Sequence, residues 1–238
     1  ASGYTDVDSL GSAQDAFVAT WYDQAGSNDA TQITGNDQPQ IVSAGALVTE
    51  NGKVALDFYT TTSILDLSAH ANMFNNVGHA HIFNVSRFDT SSSTQTLFFA
   101  ATGDNGAYKA RAVISVLSDN TLLAGGRRLD ADSFDSATST GTVSDGEQYL
   151  QSSLISYASS DINQYINASL DGQNLSFQTD GNTSATDSLN SAGEEICIGK
   201  LSGTNPYDGV IQELIIYTTD KSALRTDIED NINGRFSI

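Results

Sequence analysis

The sequence predicts an all-β antiparallel sandwich closed by one C-terminal helix, and three observations carry that prediction. Short runs rich in Val, Ile, Phe, Tyr and Thr recur about every ten residues, the spacing of sandwich strands. Clusters of Asn, Asp, Ser and Gly punctuate them, as turns require. Helical spacing appears clearly in one place, residues 222–233, where Leu224, Ile228 and Ile232 recur every four residues. At 238 residues with 39% hydrophobic content, the chain has the length of one large sandwich, read as a single domain over residues 1–238. Only two prolines occur, Pro39 and Pro206, and no Pro/Gly/Ser linker divides the chain.

From the N-terminus, Ser12-Ala13-Gln14-Asp15-Ala16-Phe17 has the composition of a short helical turn. The stretch around which the chain is organised follows, Thr20-Trp21-Tyr22-Asp23-Gln24-Ala25-Gly26-Ser27-Asn28-Asp29-Ala30-Thr31-Gln32. It sets the only tryptophan against Asp, Asn and Gly. A large ring buries ~150 Å² or more, and Asx side chains bond neighbouring backbone groups in compact turns. The stretch therefore reads as a buried strand end pinning an ordered loop.

Gln40-Ile41-Val42, residues 46–49 and residues 54–58 are short strand signals, the last two joined by Glu50-Asn51-Gly52-Lys53. Asn-Gly between apolar runs is a strong hairpin signature, because both residues tolerate positive φ. Residues 64–74 read as a connection with a helical turn, and residues 80–88, rich in aromatic and β-branched side chains, as a central strand. Residues 97–101 and 112–117 follow in the same style, then a turn at Ser118-Asp119-Asn120 and a run from Thr121 to Gly126. After Arg127-Arg128 comes an acidic, Ser-rich stretch, then strands over 148–157 and 161–170, the second ending in a turn at Asp171-Gly172. Residues 178–194 read as a long surface loop, 195–199 as a short strand and 209–217 as the closing strand. Thr219, Asp220 or Ser222 serves as N-cap of the final helix and Gly234 as its C-cap.

Ten Lys and Arg against 29 Asp and Glu leave a net charge of −19. That charge repels nucleic-acid phosphates and anionic lipid, so neither is expected as a partner. No apolar run of membrane-spanning length occurs, so no membrane insertion is expected. The first residues, Ala1-Ser2-Gly3-Tyr4, show neither the basic nor the apolar region of a signal peptide. The single cysteine, Cys197, lies in Ile196-Cys197-Ile198 and reads as a buried, inert thiol.

The run from Trp21 to Gln32 resembles the Trp-Tyr-Asp-Gln-Ser-Gly-Asn-Gly-Asn-Asp-Ala-Thr-Gln signature of concanavalin A-like, laminin-G-like jelly-roll domains. These occur in phage tail and other virion proteins and in marine bacterial surface proteins. Here Ala25 stands where Ser is usual, and the Gly after Ser27 is missing. Gln38-Pro39-Gln40-Ile41-Val42 and residues 51–58 extend the likeness. Residues 13–17, Tyr22-Asp23-Gln24, Gly26 and Tyr207-Asp208-Gly209-Val210 are also similar to the catalytic domain of α-L-arabinofuranosidase B. The resemblance implies a jelly-roll fold and a non-catalytic carbohydrate-binding or adhesion module. It further implies a virion fibre or spike, or otherwise a cell surface, with host surface glycans and other virion proteins as partners and a homotrimer as the assembly. It does not carry over the hydrolase acids. The loop 199–205, where that family places its catalytic acid, holds no carboxylate, and residues 108–117, nearest to the strand of its nucleophile, hold Lys109 and Arg111 instead.

Glycoside hydrolysis needs two carboxyl groups flanking the bond. Glu195 and Glu213 are strand acids open to that role or to plain solvation. Sugar binding asks for aromatic faces and planar polar groups. Tyr59, Tyr108 and Tyr207 near loops, and Arg111, Arg127 and Arg128, meet that description, the arginines alternatively pairing with Asp130 and Asp132. Hard cations prefer carboxylate and carbonyl oxygens. Asp23, Asn28 and Asp29 thus form a calcium (Ca2+) candidate with Asp104 and Asn105 as a second, against the alternative of ion-free Asx turns; no cofactor is required. His79 and His81 alternate on one strand face, with His70 across a loop, short of the three or four ligands of a zinc site.

Overall fold

The computed structural model describes residues 14–74, 76–89, 93–102, 109–128, 132–159, 161–174, 195–201 and 204–238. The early strands are β1 (Ala16–Phe17), β2 (Thr20–Trp21), β3 (Ala30–Thr31), β4 (Gln40–Ser43), β5 (Ala46–Leu47), β6 (Thr49–Glu50), β7 (Lys53–Val54), β8 (Leu56–Asp57) and β9 (Leu65–Asp66). After a 3-10 helix, Ser68–Phe74, come β10 (His79–Phe88), β11 (Gln95–Thr102), β12 (Lys109–Val116), β13 (Leu122–Gly126) and β14 (Asp135–Thr138). The last group is β15 (Tyr149–Ser156), β16 (Asp161–Ile166), β17 (Ser169–Asn174), β18 (Glu195–Ile198) and β19 (Gly209–Tyr217), before α1 (Arg225–Phe236).

Two large antiparallel sheets face each other. One runs β1-β4-β8-β19-β10-β15-β16-β17 with β5 beside β4, and the other runs β14-β13-β12-β11-β18-β9-β3-β2. The core between them includes Phe58, Leu65, Ile82, Phe88, Phe98, Ile114, Ile155, Ile162, Ile198 and Ile211. This is the antiparallel sandwich with one C-terminal helix that the strand spacing predicts, in the jelly-roll form that the resemblance implies.

Strand alternation sorts β10 into two faces. Ala80, Ile82 and Phe88 point inward, whereas Phe83 and Val85 join Leu150, Ile232 and Phe236 beneath α1. Each such side chain, fully buried, contributes about 1.5–3 kcal/mol. Polar bonds hold α1 on this outer face. Ser152 Oγ donates to Glu229 Oε1 at 2.5 Å, Arg225 pairs with Glu229, and the Arg225 guanidinium lies 3.9 Å over the Tyr165 ring. The inner face carries a buried polar ladder. Ser86 Oγ donates to Asn84 Oδ1, Asn84 Nδ2 to Gln151 Oε1, Gln151 Nε2 to Gln164 Oε1, and Gln164 Nε2 to the Leu122 carbonyl of the opposite sheet. Because buried amides are costly when unpaired, this chain of bonds ties the sheets in one register.

Several expectations are corrected. Ala16–Phe17 is strand, not a helical turn, because Ala16 pairs with Val42 and Phe17 with Gln40. The acidic, Ser-rich stretch holds a strand, β14, whose backbone pairs with β13. The β16–β17 turn falls at Asn167-Ala168, with φ of 48° and 66°, so Asp171-Gly172 lies inside β17. Asn167 Oδ1 fixes it by accepting from Leu150 N at 3.0 Å. The helix ends not at Gly234 but at Ser237, which takes the left-handed conformation with φ 60°. Its start is a 3-10 turn at Ser222–Leu224, where Asp220 Oδ1 accepts from Ser222 N at 2.7 Å. Leu224 is 51% exposed, and the buried stripe is carried by Ile232 and Phe236. The Asn51-Gly52 hairpin forms as read, with Glu50 opposite Lys53 and φ of 46° and 70° at the turn. Residues 178–194 lie outside the described residues. Among the described residues, no helix is long and apolar enough to cross a membrane.

Candidate functional site

The organising stretch builds one wall of a cleft of about 540 Å³, within the ~300–1,000 Å³ of small-molecule sites. The wall exists because Asp23 gathers the loop around its carboxylate. Oδ1 accepts from Ala25 N at 2.8 Å, and Oδ2 accepts from Asn28 N at 3.0 Å and Asn28 Nδ2 at 3.1 Å. Asp29 Oδ1 in turn accepts from Asp23 N at 2.9 Å. The Ala25 N–H, followed by that of Asn28, holds the Asp23 carboxyl below the usual carboxylate range. Gln24 Nε2 donates to the Tyr22 carbonyl at 3.0 Å. Trp21 is half-buried against the core rather than fully enclosed, and Tyr22 is 62% exposed.

The opposite wall is β19. Gly209 starts it against β10, where a Cβ would sit 2.1 Å from the Arg87 carbonyl, with φ 149°. β8 accompanies β19 only through Val210 and Ile211, and Gln212 Nε2 then donates to the Glu50 and Lys53 carbonyls at 3.0 Å each. Beyond that point β10 alone pairs with it, through Glu213 to Tyr217, and no described strand pairs on the other flank. The strand thus offers main-chain donors and acceptors beside the cleft. Leu214 and Ile216 turn toward the sandwich core, and with Leu67, Met73, Ile198 and Ala30 they make an apolar floor. Thr218 and Thr219 continue the rim past the strand.

Glu213 also borders the cleft, but its register places the side chain on the helix face. It stands opposite Val85, which packs beneath α1, and its Oε2 lies 3.9 Å from Arg235 Nη1. Burial raises its carboxyl above the usual range, against the pull of Arg235. The cleft therefore has one carboxylate bound into its loop and another turned to the far side of β19. That is not a facing pair of free acids.

Of the sequence-predicted residues, Asp23 and Asn28 meet in the cleft, while Asp29 supports the loop from outside its lining. The Asp23, Asn28 and Asp29 bonds are those of an Asx-tied turn, and the described residues contain no cluster of three or more His, Cys, Asp or Glu suited to a metal. Tyr59 is 46% exposed but sits elsewhere, 6.2 Å from the Phe17 ring. Arg127 Nη1 donates to the Asp132 carbonyl at 2.9 Å. Two expectations are corrected by burial. Arg128 is wholly enclosed, and Tyr207 is a core residue whose hydroxyl lies with those of Tyr149 and Ser86, so neither presents a surface to a sugar. Tyr108, Asp104, Asn105, the Arg111 side chain, the His70 side chain and the Glu195 side chain lie outside the described residues.

His81 faces α1, not solvent. It stacks on Phe83 at 4.6 Å, and its Nδ1 accepts from Lys221 N at 3.2 Å, which places the proton of the neutral ring on Nε2. Burial above all lowers it to about 4, opposed by Asp220 and reinforced by Arg225. Such a ring ties β10 to the segment that leads from β19 into the helix. Sequence reasoning missed the floor and the strand edge of the cleft. The signal available was the Thr218-Thr219 pair following the closing strand.

No family model and no curated protein matches the chain. Solved structures show the same fold. The CBM40 of the Ruminococcus gnavus IT-sialidase, bound to α2,3-sialyllactose, aligns with a TM-score of 0.58 at 14% identity over 76% of this chain and 96% of that one. Trypanosoma rangeli sialidase in complex with sialic acid aligns at 0.52 and 12% identity over 93% of this chain and 32% of that one. NanB sialidase from Streptococcus pneumoniae aligns at 0.55 and 11% identity, over 72% of this chain and 26% of that one. The chain is therefore similar in fold to a carbohydrate-binding module over that module's near-full length, and to about a third or less of the sialidases.

Proposed function

We propose that this chain is a non-catalytic carbohydrate-binding module whose glycan lies in the cleft between the 21–28 loop and the β19 edge. The observation that carries this reading is the composition of that cleft. It joins a half-buried Trp21 and an exposed Tyr22 to the amides of Gln24 and Asn28, over an apolar floor. Aromatic faces stack on sugar C–H surfaces while amides and main-chain groups bond hydroxyls, the mixture small-molecule sites use for orientation. The fold shared with the CBM40, whose bound ligand is α2,3-sialyllactose, supports the reading at the level of architecture. The non-catalytic part is supported by Asp23 being tied into its loop and Glu213 facing away. The setting proposed is a virion fibre or spike, or a cell surface, touching host glycans as a homotrimer, and it rests on the laminin-G-like run from Trp21 to Gln32.

A glycan array with a parallel time course for released sugar tests this. Retained binding without product, lost at least tenfold in Tyr22→Ala with an unchanged melting curve, is the expected result. Released product favours a hydrolase, and silence in both leaves a structural virion or surface domain.

A further inference from the structure

Among the described residues, the lining of the cleft contains no Lys, Arg or His, and its two acids are Asp23, tied into its loop, and Glu213, turned to the helix face. Two described cations beside the Glu213–Tyr217 part of β19 are on its other face. Arg235 lies against Glu213, and Lys221 Nζ sits 5.0 Å over the ring of Tyr217, which packs beneath α1. The chain as a whole carries −19. Recognition of a sugar carboxylate draws on bidentate guanidinium or ammonium donors, and a like charge brought to such a site is repelled both locally and by the field of the whole protein.

From this geometry we infer that the cleft takes a neutral saccharide bearing an apolar substituent, such as the methyl of a 6-deoxyhexose or of an N-acetyl group, and rejects sialylated and uronic-acid glycans. The inference rests on the carbohydrate reading above and narrows it. It departs from the fold neighbour, whose bound ligand, α2,3-sialyllactose, is anionic. The apolar floor of Leu67, Met73, Ile198, Leu214 and Ile216 supplies the second half of the argument, since hydroxyls alone gain nothing from such a surface, whereas a methyl does. The flank of β19 that no described strand pairs adds main-chain partners suited to an acetamido N–H and carbonyl.

The test is an array in which each neutral glycan stands beside a counterpart carrying sialic or uronic acid, with the carboxamide of each acidic member as a size control. Neutral members bind at least tenfold more tightly than the acids. The carboxamides regain most of the difference, and raising salt narrows it, because screening acts on charge and not on shape. Thr219→Arg, at an exposed rim position, brings the acidic members to within about threefold of the neutral ones, the expected effect of one charge-assisted partner. Acidic members binding as tightly as neutral ones, or carboxamides binding no better than their acids, overturn the inference while leaving carbohydrate binding in place. Absence of binding to every member overturns both.

Discussion

The two walls of the cleft face each other but are held by bonds of different span. The loop wall is tied by Asp23 to groups two and five residues away. The β19 wall is tied to partners far along the chain, such as Gln212 to the Glu50 carbonyl 162 residues distant and the Lys221 N–H to His81 across 140. A local wall keeps its shape whenever its own few residues are present. A distal wall keeps its shape only while the sheet, the helix and their shared interface are intact. The comparison teaches that loop chemistry sets what the cleft contacts, whereas the packing beneath α1 decides whether the second wall stands there at all.

The largest effect comes from cutting away the support of the distal wall. Phe83→Ala removes a fully buried ring that stacks on His81 and meets Tyr217 edge-on at 6.2 Å. It should cost about 3–5 kcal/mol, read by urea unfolding. A loss under about 1 kcal/mol would separate β19 from the helix face and break the comparison.

Acid sharpens it next. Because the folded value of His81 lies near 4 and its ordinary value at 6.5, the unfolded chain takes up a proton in that window and the native state does not. The His81 contribution to stability is full above pH 6.5, declines as pH falls toward 4 and levels off below it, by about 3 kcal/mol. His81→Phe, weaker at neutral pH, should lack this decline. Asp23 behaves differently. Its depressed carboxyl contributes above the ordinary 3.8 and loses that contribution only as pH falls through its lower folded value. The distal wall therefore weakens in mild acid and the loop wall only in strong acid.

A smaller change is expected from Asp23→Ala, which leaves the Ala25 and Asn28 N–H groups to water. By analogy with the loss of a helix cap it should cost about 1 kcal/mol, or roughly 2–4 °C in a chain of this length. The smallest is chelation. The loop is closed by N–H donors, so EDTA should shift the melting temperature by less than about 1 °C, and a drop of more than a few degrees would instead place calcium among the Asp23, Asn28 and Asp29 oxygens.

The same difference in span explains what could be read beforehand. Strand spacing, the Asn51-Gly52 hairpin and the buried Cys197 were legible, since each depends on neighbours in sequence. The ordered loop of Asp23 was legible for the same reason. The flank of β19 left without a described partner strand was not, because it follows from the shortness of β8, two residues in a different part of the chain. Nor was the burial of Tyr207 and Arg128, since a tyrosine or arginine near a turn carries no mark of which sheet will cover it. Asp171-Gly172 misled for a related reason. Its composition is that of a turn, yet Asn167 bonding to Leu150 settles the turn four residues earlier, and Gly172 packs inside β17 where a Cβ would lie 2.9 Å from the Thr138 carbonyl.

The most direct test is to map a bound neutral glycan by backbone amide shifts of the labelled protein. Changes at residues 21–28 and, in the same titration, at residues 213–219 are the predicted result, since one ligand should touch both walls. Changes confined to one wall, or centred on Tyr59 or Arg127, would contradict a cleft built from the two.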